Sequence, residues 1–462
     1  MGEATLLIYV AAVMAIGIRT KATTLEKFIL GDRMGTRAMV ATIVSTFYGA
    51  SAILGGVSLT YQMGLGAIWF MVPFYLGSAA VVFWLGKIAG SERYTLPDFL
   101  GGFYGKEFAM ASSVLLATLC LIPEEIIAGG KILSTFTSMP LEMAMGVMTL
   151  VLILPVAIGG MKADVTTDIV QFILMLLMLG MVVPFILGRR LDLTSGIPAG
   201  YLNPVSYVSF QEIAVFFTAL FFLPITSAPL YQRLFASESE ACSRRSMLYS
   251  TAIWMAIDSV VVLCGLAALQ IFPGLGDPDM ALIKLGTAMP TLVRGAFFVG
   301  LLAAIMSTVN SFLQSGASSL AYDVVRHFRT ATNERQLLTL SRLFVVVLGA
   351  LSLALALWFQ MIVPALLFTL SMWTAGMLVP TLAALTGRRL KKGTTLYSLM
   401  GGTFSSLAWR ILQPSSVDAL FVGLGFSLLV AVVSETVRTS PCKGKRSGTS
   451  QCKGKQSGTH SR

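Results

Sequence analysis

Charge is what this chain of 462 residues has least of: Asp, Glu, Lys and Arg together make up 12% of it, about half the share of an ordinary soluble domain. Histidine is nearly missing. His327 and His460 are the only two, and neither falls within an apolar run, which excludes a histidine-based catalytic or metal centre at membrane depth. Cys120, Cys242, Cys264, Cys442 and Cys452 show neither paired metal spacing nor a disulfide framework. The apolar segments also hold no carboxylate cluster with metal-ligand spacing. An enzyme would need a convergent set of such groups, so none is expected.

What the chain has instead is apolar sequence, 55% of its residues, with a mean hydropathy of +0.80. Runs of about twenty apolar residues, long enough to cross a bilayer, recur from end to end. This pattern predicts an all-α polytopic membrane protein with thirteen transmembrane helices, over 5–18, 36–62, 65–88, 108–136, 140–160, 165–187, 211–235, 247–272, 292–326, 338–359, 361–386, 394–412 and 417–437. Met1-Gly2-Glu3 offers no basic n-region, so a cleaved signal peptide is not expected. With the N-terminus outside and the spans alternating, all 33 Lys and Arg lie inside except Lys131, Arg189, Arg190, Lys284, Arg294 and Arg410. That segregation predicts an N-out/C-in orientation in the plasma (cytoplasmic) membrane. The net charge of +11 is then mostly topology, with a tail that leans on anionic lipid. The bilayer is therefore an expected partner, and neither nucleic acid nor an obligatory protein partner is.

No soluble domain is predicted. The longest loops are 188–210 and 273–291, the latter with Asp277-Pro-Asp followed by a short helical pattern over Met280–Gly286. The tail, 438–462, repeats Cys-Lys-Gly-Lys-x-Ser-Gly-Thr at Cys442 and Cys452, a composition too polar to bury a core.

Two spans are broken in sequence. One reads Ser45-Thr-Phe-Tyr-Gly-Ala-Ser-Ala-Ile-Leu-Gly-Gly56, and the other Phe222-Leu-Pro-Ile-Thr-Ser-Ala-Pro229. Proline removes a backbone donor and frees carbonyls, which at membrane depth need protein, water or ligand as partner. The breaks lie five spans apart, and paired breaks at matching places in two halves point to a transporter of inverted repeats. The predicted organisation is an extra helix and loop (1–35), a first five-helix repeat (36–187), a second (211–386), two further helices (387–437) and the tail.

One helical stretch, Leu301-Leu-Ala-Ala-Ile-Met-Ser-Thr-Val-Asn-Ser311, places Ala304, Ser307, Thr308 and Ser311 on one side. Small residues with hydroxyls suit close helix packing. They also suit a dehydrated alkali cation, which needs hard neutral oxygens.

Several stretches, in order, resemble the sodium/solute symporter family: Glu26-Lys-Phe-Ile-Leu-Gly-Asp-Arg33; Tyr94-Thr-Leu-Pro-Asp-Phe-Leu with Phe103-Tyr-Gly; Gly159-Gly-Met-Lys-Ala-Asp-Val-Thr-Thr-Asp168-Ile-Val-Gln171; Tyr231-Gln-Arg233; and Ala303-Ala-Ile-Met-Ser-Thr with Ser311 and Asp323. The resemblance runs from residue 5 to about 412. It implies a leucine-transporter-type fold, with sodium as the coupling ion and no other cofactor. By motif, it implies a main sodium site of the Ser45, Tyr48 and Ala304 carbonyls with the Ser307 and Thr308 hydroxyls. A candidate second site would use Asp168, Asn310 and Ser311 with Ser307. The other reading of Asp168 is a cap near a helix start, with Thr167 before it.

The same resemblance puts the solute between the broken helices. Gly49, Ala50, Ala52, Pro73, Phe74, Thr226 and Ser227 are the candidates there, too apolar a set for a sugar. Glu124 and Glu125 follow Pro123 within an apolar span, and neighbouring helical residues point about 100° apart, so at most one faces the pocket. Glu124 stands where choline-type members also carry a glutamate. It reads either as counter-charge to an organic cation or ammonium group, or as a partner of another helix or of Lys131. Asp258 is alone in its span. The expected function is a secondary active transporter, coupling inward sodium flow to uptake of a small organic solute (amino acid, organic cation or carboxylate) by alternating access. Proton coupling through Glu124, Glu125 and Asp168, and a non-transporting sensor on the same fold, are the alternatives.

Overall fold

The structure is a computed structural model and describes residues 2–20, 22–89, 91–189, 191, 196–328, 333–388, 390–412 and 417–439. The repeats at Cys442 and Cys452, and His460, lie outside these residues. Among the described residues the chain is helical, and its only strand-like feature is an isolated parallel bridge between Met34 and Ser237. The longer helices, in chain order, are α1 (Gly2–Arg19), α2 (Thr36–Phe47), α3 (Gly56–Met63), α4 (Ile68–Val81), α5 (Leu96–Tyr104), α6 (Lys106–Leu119), α7 (Pro123–Thr137), α8 (Leu141–Gly159) and α9 (Met161–Gly188). After these come α10 (Phe210–Thr226), α11 (Ala228–Phe235), α12 (Glu240–Ile271), α13 (Ala281–Thr287), α14 (Thr291–Ser319), α15 (Glu334–Phe359), α16 (Ile362–Thr386), α17 (Lys392–Leu412) and α18 (Ala419–Thr439).

Nine helical stretches among the described residues are long and apolar enough to cross a membrane. Each predicted span falls on helix, but the spans 36–62 and 65–88 share one of the nine, Ser51–Ile88. The turn between them is made at Gly64, whose φ of 59° suits glycine; a Cβ there would lie 2.2 Å from the Tyr201 carbonyl oxygen. The expected short helix after Asp277 is α13. Helix α12 begins at Glu240 rather than 247, because the Ser239 side chain accepts the Cys242 N–H and caps a polar first turn.

Burial identifies the centre of the bundle. The most apolar window of Val293–Phe328 is 94% buried, against 33% in both α9 and α15. Helix α14 is therefore surrounded, and α9, α15, α1, α8 and α2 pack on it. Helices α17 and α18 pack on each other and on α16, away from that centre.

Three interruptions shape the interior. Helix α2 stops at Phe47, Tyr48 takes a non-helical conformation (φ −110°, ψ 58°), and the chain re-enters helix through a π-turn at Ser51–Gly55. Between α10 and α11, Ser227 is extended, with Pro229 in the first turn of α11, where its missing N–H costs nothing. The third lies at Cys120–Ile122, within a stretch the sequence reading took as one span (108–136). Pro123 starts α7, and proline restricts the residue before it to non-helical conformations. The Ile122 N–H donates to Ser352 Oγ instead (3.1 Å).

Lys131 does not pair with either neighbouring glutamate. Its Nζ lies 2.8 Å from both Asp277 and Asp279, in the loop before α13, and Asp279 also accepts the Ile362 N–H (3.0 Å). This buried node ties α7 to α13 and α16. Lys131→Met is expected to strand Asp279 without its cation, at a cost of about 3–5 kcal/mol, and so to lower the melting temperature of the purified protein. An unchanged melting curve would show the node to be dispensable.

Candidate functional site

In an unbroken helix the Ser45 carbonyl would accept the N–H four residues on. Helix α2 ends at Phe47, and the Ser45 carbonyl accepts from α14 instead: Ser307 Oγ lies 2.9 Å from it and Thr308 Oγ1 3.3 Å. The same hydroxyls reach the Ala304 carbonyl at 2.8 and 3.4 Å. Ser45, Ala304, Ser307 and Thr308 thus converge, all buried. Two carbonyl and two hydroxyl oxygens face one another, and a hydroxyl that donates here can turn its lone pairs to a cation. Tyr48 lies in the break itself, its ring stacked on Trp254 with centroids 6.2 Å apart and its hydroxyl donating to the Trp254 carbonyl.

The break is held open by Glu125. Both of its carboxyl oxygens lie within hydrogen-bond distance of the Ala50 N–H, at 2.9 and 2.8 Å, so this side chain caps the re-started helix. Glu125 and Thr308 both press on Gly49. A Cβ at that position would lie 2.1 Å from the Glu125 carboxylate and 2.5 Å from Thr308 Oγ1. Gly49 and Ala50 therefore contribute to holding the break.

One turn along α14 the picture differs from the sequence expectation. Asp168 and Ser311 are brought together, but around the fully buried Arg233 of α11. Its guanidinium reaches Asp164 at 2.9 Å and Asp168 at 3.3 Å, contacts Ser311 Oγ, and donates through Nε to Thr42 Oγ1 (2.8 Å). Thr42 in turn donates to Asp168. Asn310 borders this group, lining a small cavity with Val13, Gly17, Asp164 and Gln314. Asp168 is not a cap either, since it sits well inside α9. The sequence places Arg233 among the cytoplasmic charges and in the family-like stretch Tyr231-Gln-Arg233, with no partner assigned to it. An arginine one turn beyond a proline in an apolar, broken span was the available signal.

Beside the break lies an internal cavity. Phe47, Tyr48, Ala52, Phe74, Glu124, Asp258, Thr308 and Phe312 are among the residues that line it. Of the expected solute residues, Ala52, Phe74 and Glu124 face this space. Thr226 and Ser227 do not: Thr226 Oγ1 donates to the Phe222 carbonyl and accepts Trp373 Nε1 (3.2 Å). Pro73 is buried in α4 outside the lining. Asp258 accepts the Tyr75 hydroxyl. Phe47 and Phe312 were missed in the sequence because isolated aromatics in an apolar run carry no pattern.

The family model described as sodium:solute symporter family matches residues 28–402. The sodium/pantothenate symporter of Escherichia coli is 26% identical, over 93% of this chain and 94% of that protein. The high-affinity proline transporter of Bacillus subtilis is 24% identical, over 73% and 76% of the two chains. Among solved structures, a substrate-bound, outward-open Na+-coupled sialic acid symporter superposes with a TM-score of 0.77 at 16% identity, covering 94% of this chain and 98% of its own.

Gly49→Ala is expected to displace Glu125 and Thr308 and to weaken equilibrium binding of radioactive sodium at least about tenfold, or about 1.4 kcal/mol. Gly146→Ala, where a Cβ meets nothing within 4 Å, is the control. Equal binding by both variants would mean that the close approach at Gly49 has no bearing on the ion.

Proposed function

The chain belongs to the sodium:solute symporter family, and from that premise we propose that one sodium ion binds between α2 and α14 and drives a small organic solute through the cavity beside it. The protein is a multi-pass membrane transporter, not an enzyme, and couples solute uptake to sodium. The ion's ligands are the Ser45, Tyr48 and Ala304 carbonyls and the Ser307 and Thr308 hydroxyls. The observation that carries this reading is the capture of the Ser45 carbonyl by both α14 hydroxyls. An ion at that place joins a broken helix to the buried centre of the bundle.

Arg233 supports coupling through this site alone. Its guanidinium contacts Asp168 and Ser311, two of the residues that the resemblance assigned to a second ion. We read the topology as thirteen spans, N-out and C-in, in the plasma membrane. The two five-helix units, 36–187 and 211–386, are inverted repeats. The breaks at Tyr48 and Ser227 fall five spans apart, as such repeats require. Alternating access then follows from movement of the broken helices against the rest.

Ser307→Ala and Thr308→Ala are each expected to raise the sodium concentration for half-maximal uptake about tenfold or more, with the helical fold and melting temperature retained. Uptake into vesicles at fixed pH, with potassium replacing sodium, measures the requirement directly. Full uptake in potassium, or unchanged sodium dependence in both variants, would refute the site.

A further inference from the structure

The carboxyl-bearing residues that line the cavity, Glu124 and Asp258, have no basic counterpart among the described lining residues. Glu124 lies in the first turn of α7, directly after the break at Cys120–Ile122, and is only 5% exposed. It lines the cavity, and its Oε2 has no hydrogen-bond partner. Asp258 reaches the same space from α12. Among the described lining residues there is no Lys, Arg or His. The two basic side chains buried in the bundle nearby are both engaged elsewhere: Lys131 with Asp277 and Asp279, and Arg233 with Asp164 and Asp168. Glu125, the neighbour of Glu124, points instead to the break, where the sodium ion is placed.

The rest of the lining is aromatic, aliphatic or hydroxyl-bearing, and an aromatic cluster, backed by Trp254 from outside the lining, forms one part of it. Phe47 and Phe74 lie 5.3 Å apart, Phe47 and Phe312 6.2 Å, and Trp254 packs on Phe74 at 4.8 Å between ring centroids. Ring faces attract cations, most strongly where water is excluded. An unpaired carboxylate at membrane depth is costly and calls for a counter-charge. A carboxylate solute would bring a negative charge against two acidic side chains in a poorly screened space. A neutral sugar could hydrogen-bond Glu124 but would supply no counter-charge.

We infer that the solute is an organic ammonium compound, its charge set against Glu124 and its apolar part against Phe47, Phe74 and Phe312. This rests on the reading of the cavity as the solute site and names the chemistry that site selects. Each of the two adjacent glutamates then faces its own cation: Glu125 the sodium ion, Glu124 the solute. Asp258, held by Tyr75, sets the negative potential on the opposite wall. The substrate named for the pantothenate relative, a carboxylate, does not carry over to this cavity.

The test uses the purified full-length chain and its melting temperature in sodium or potassium chloride. Choline and phenethylammonium serve as cationic probes, with pantothenate and glucose as anionic and neutral ones. An ammonium probe is expected to raise the melting temperature in sodium, and pantothenate and glucose to leave it unchanged. Glu124→Gln should weaken the ammonium effect at least tenfold while retaining the shift produced by sodium alone, which also shows that the variant is folded. Glu124→Asp, which keeps the charge, should weaken it less, and it serves should the amide variant fail to fold. Stabilisation by pantothenate, no stabilisation by either ammonium probe, or undiminished ammonium binding by both variants would overturn the inference. Failure of the ion site reads out separately, as the absence of any shift with sodium alone in the wild-type chain.

Discussion

The Ser45 carbonyl is the atom on which the rest of this structure turns. Helix α2 stops two residues later, so that carbonyl loses its partner within the helix, and two hydroxyls of α14 take it up. A backbone group without a partner at membrane depth costs several kcal/mol. The break is therefore tolerable only where α14 presents Ser307 and Thr308. Helix α14 can present them because it is the buried helix of the bundle, reached by neighbours on every side. Gly49 allows the approach, and Glu125 closes the far side by capping Ala50. Interruption, hydroxyl pair, glycine and glutamate form one device.

Buried charge is distributed by the same logic. Few ionisable groups enter the interior, and those that do are mostly held by opposite charge or by hydroxyls. Arg233 is set among Asp164, Asp168 and Ser311, Lys131 between two aspartates, and Asp323 against Thr95 and Ser113 (2.8 and 2.9 Å). Glu125 and Glu124 are held differently: Glu125 takes a backbone N–H, that of Ala50, and Glu124 Oε2 has no hydrogen-bond partner. One faces the break and the other the cavity. A transporter that must bind and release positively charged cargo has reason to leave such acids without a resident cation, which would compete with the passenger.

Family membership covers most of the chain and brings sodium coupling with it. The solute is a different matter, because the relatives carry different cargoes on one scaffold, and cargo is chosen by the few side chains lining the cavity. In this chain those side chains are mostly apolar, with an aromatic cluster, four Ser or Thr residues and two acids, Glu124 and Asp258.

Much of the architecture was legible in the sequence. The apolar runs and the two helix breaks depend on local composition, and local composition is what a bilayer reads. The hydroxyl face of α14 was legible for the same reason, since helical spacing alone puts Ser307, Thr308 and Ser311 together. The third break was signalled by Pro123, but a single proline in an apolar run does not by itself reveal which way the chain turns. Only the packed bundle decided which partners meet. Arg233 and Asp168 are 65 residues apart, and Lys131 and Asp279 are 148 apart; no periodicity encodes such pairs. Likewise, two consecutive glutamates look equivalent on paper. They differ because helical geometry turns one towards Ala50 and the other towards the cavity, and what each then meets depends on helices far away in the chain.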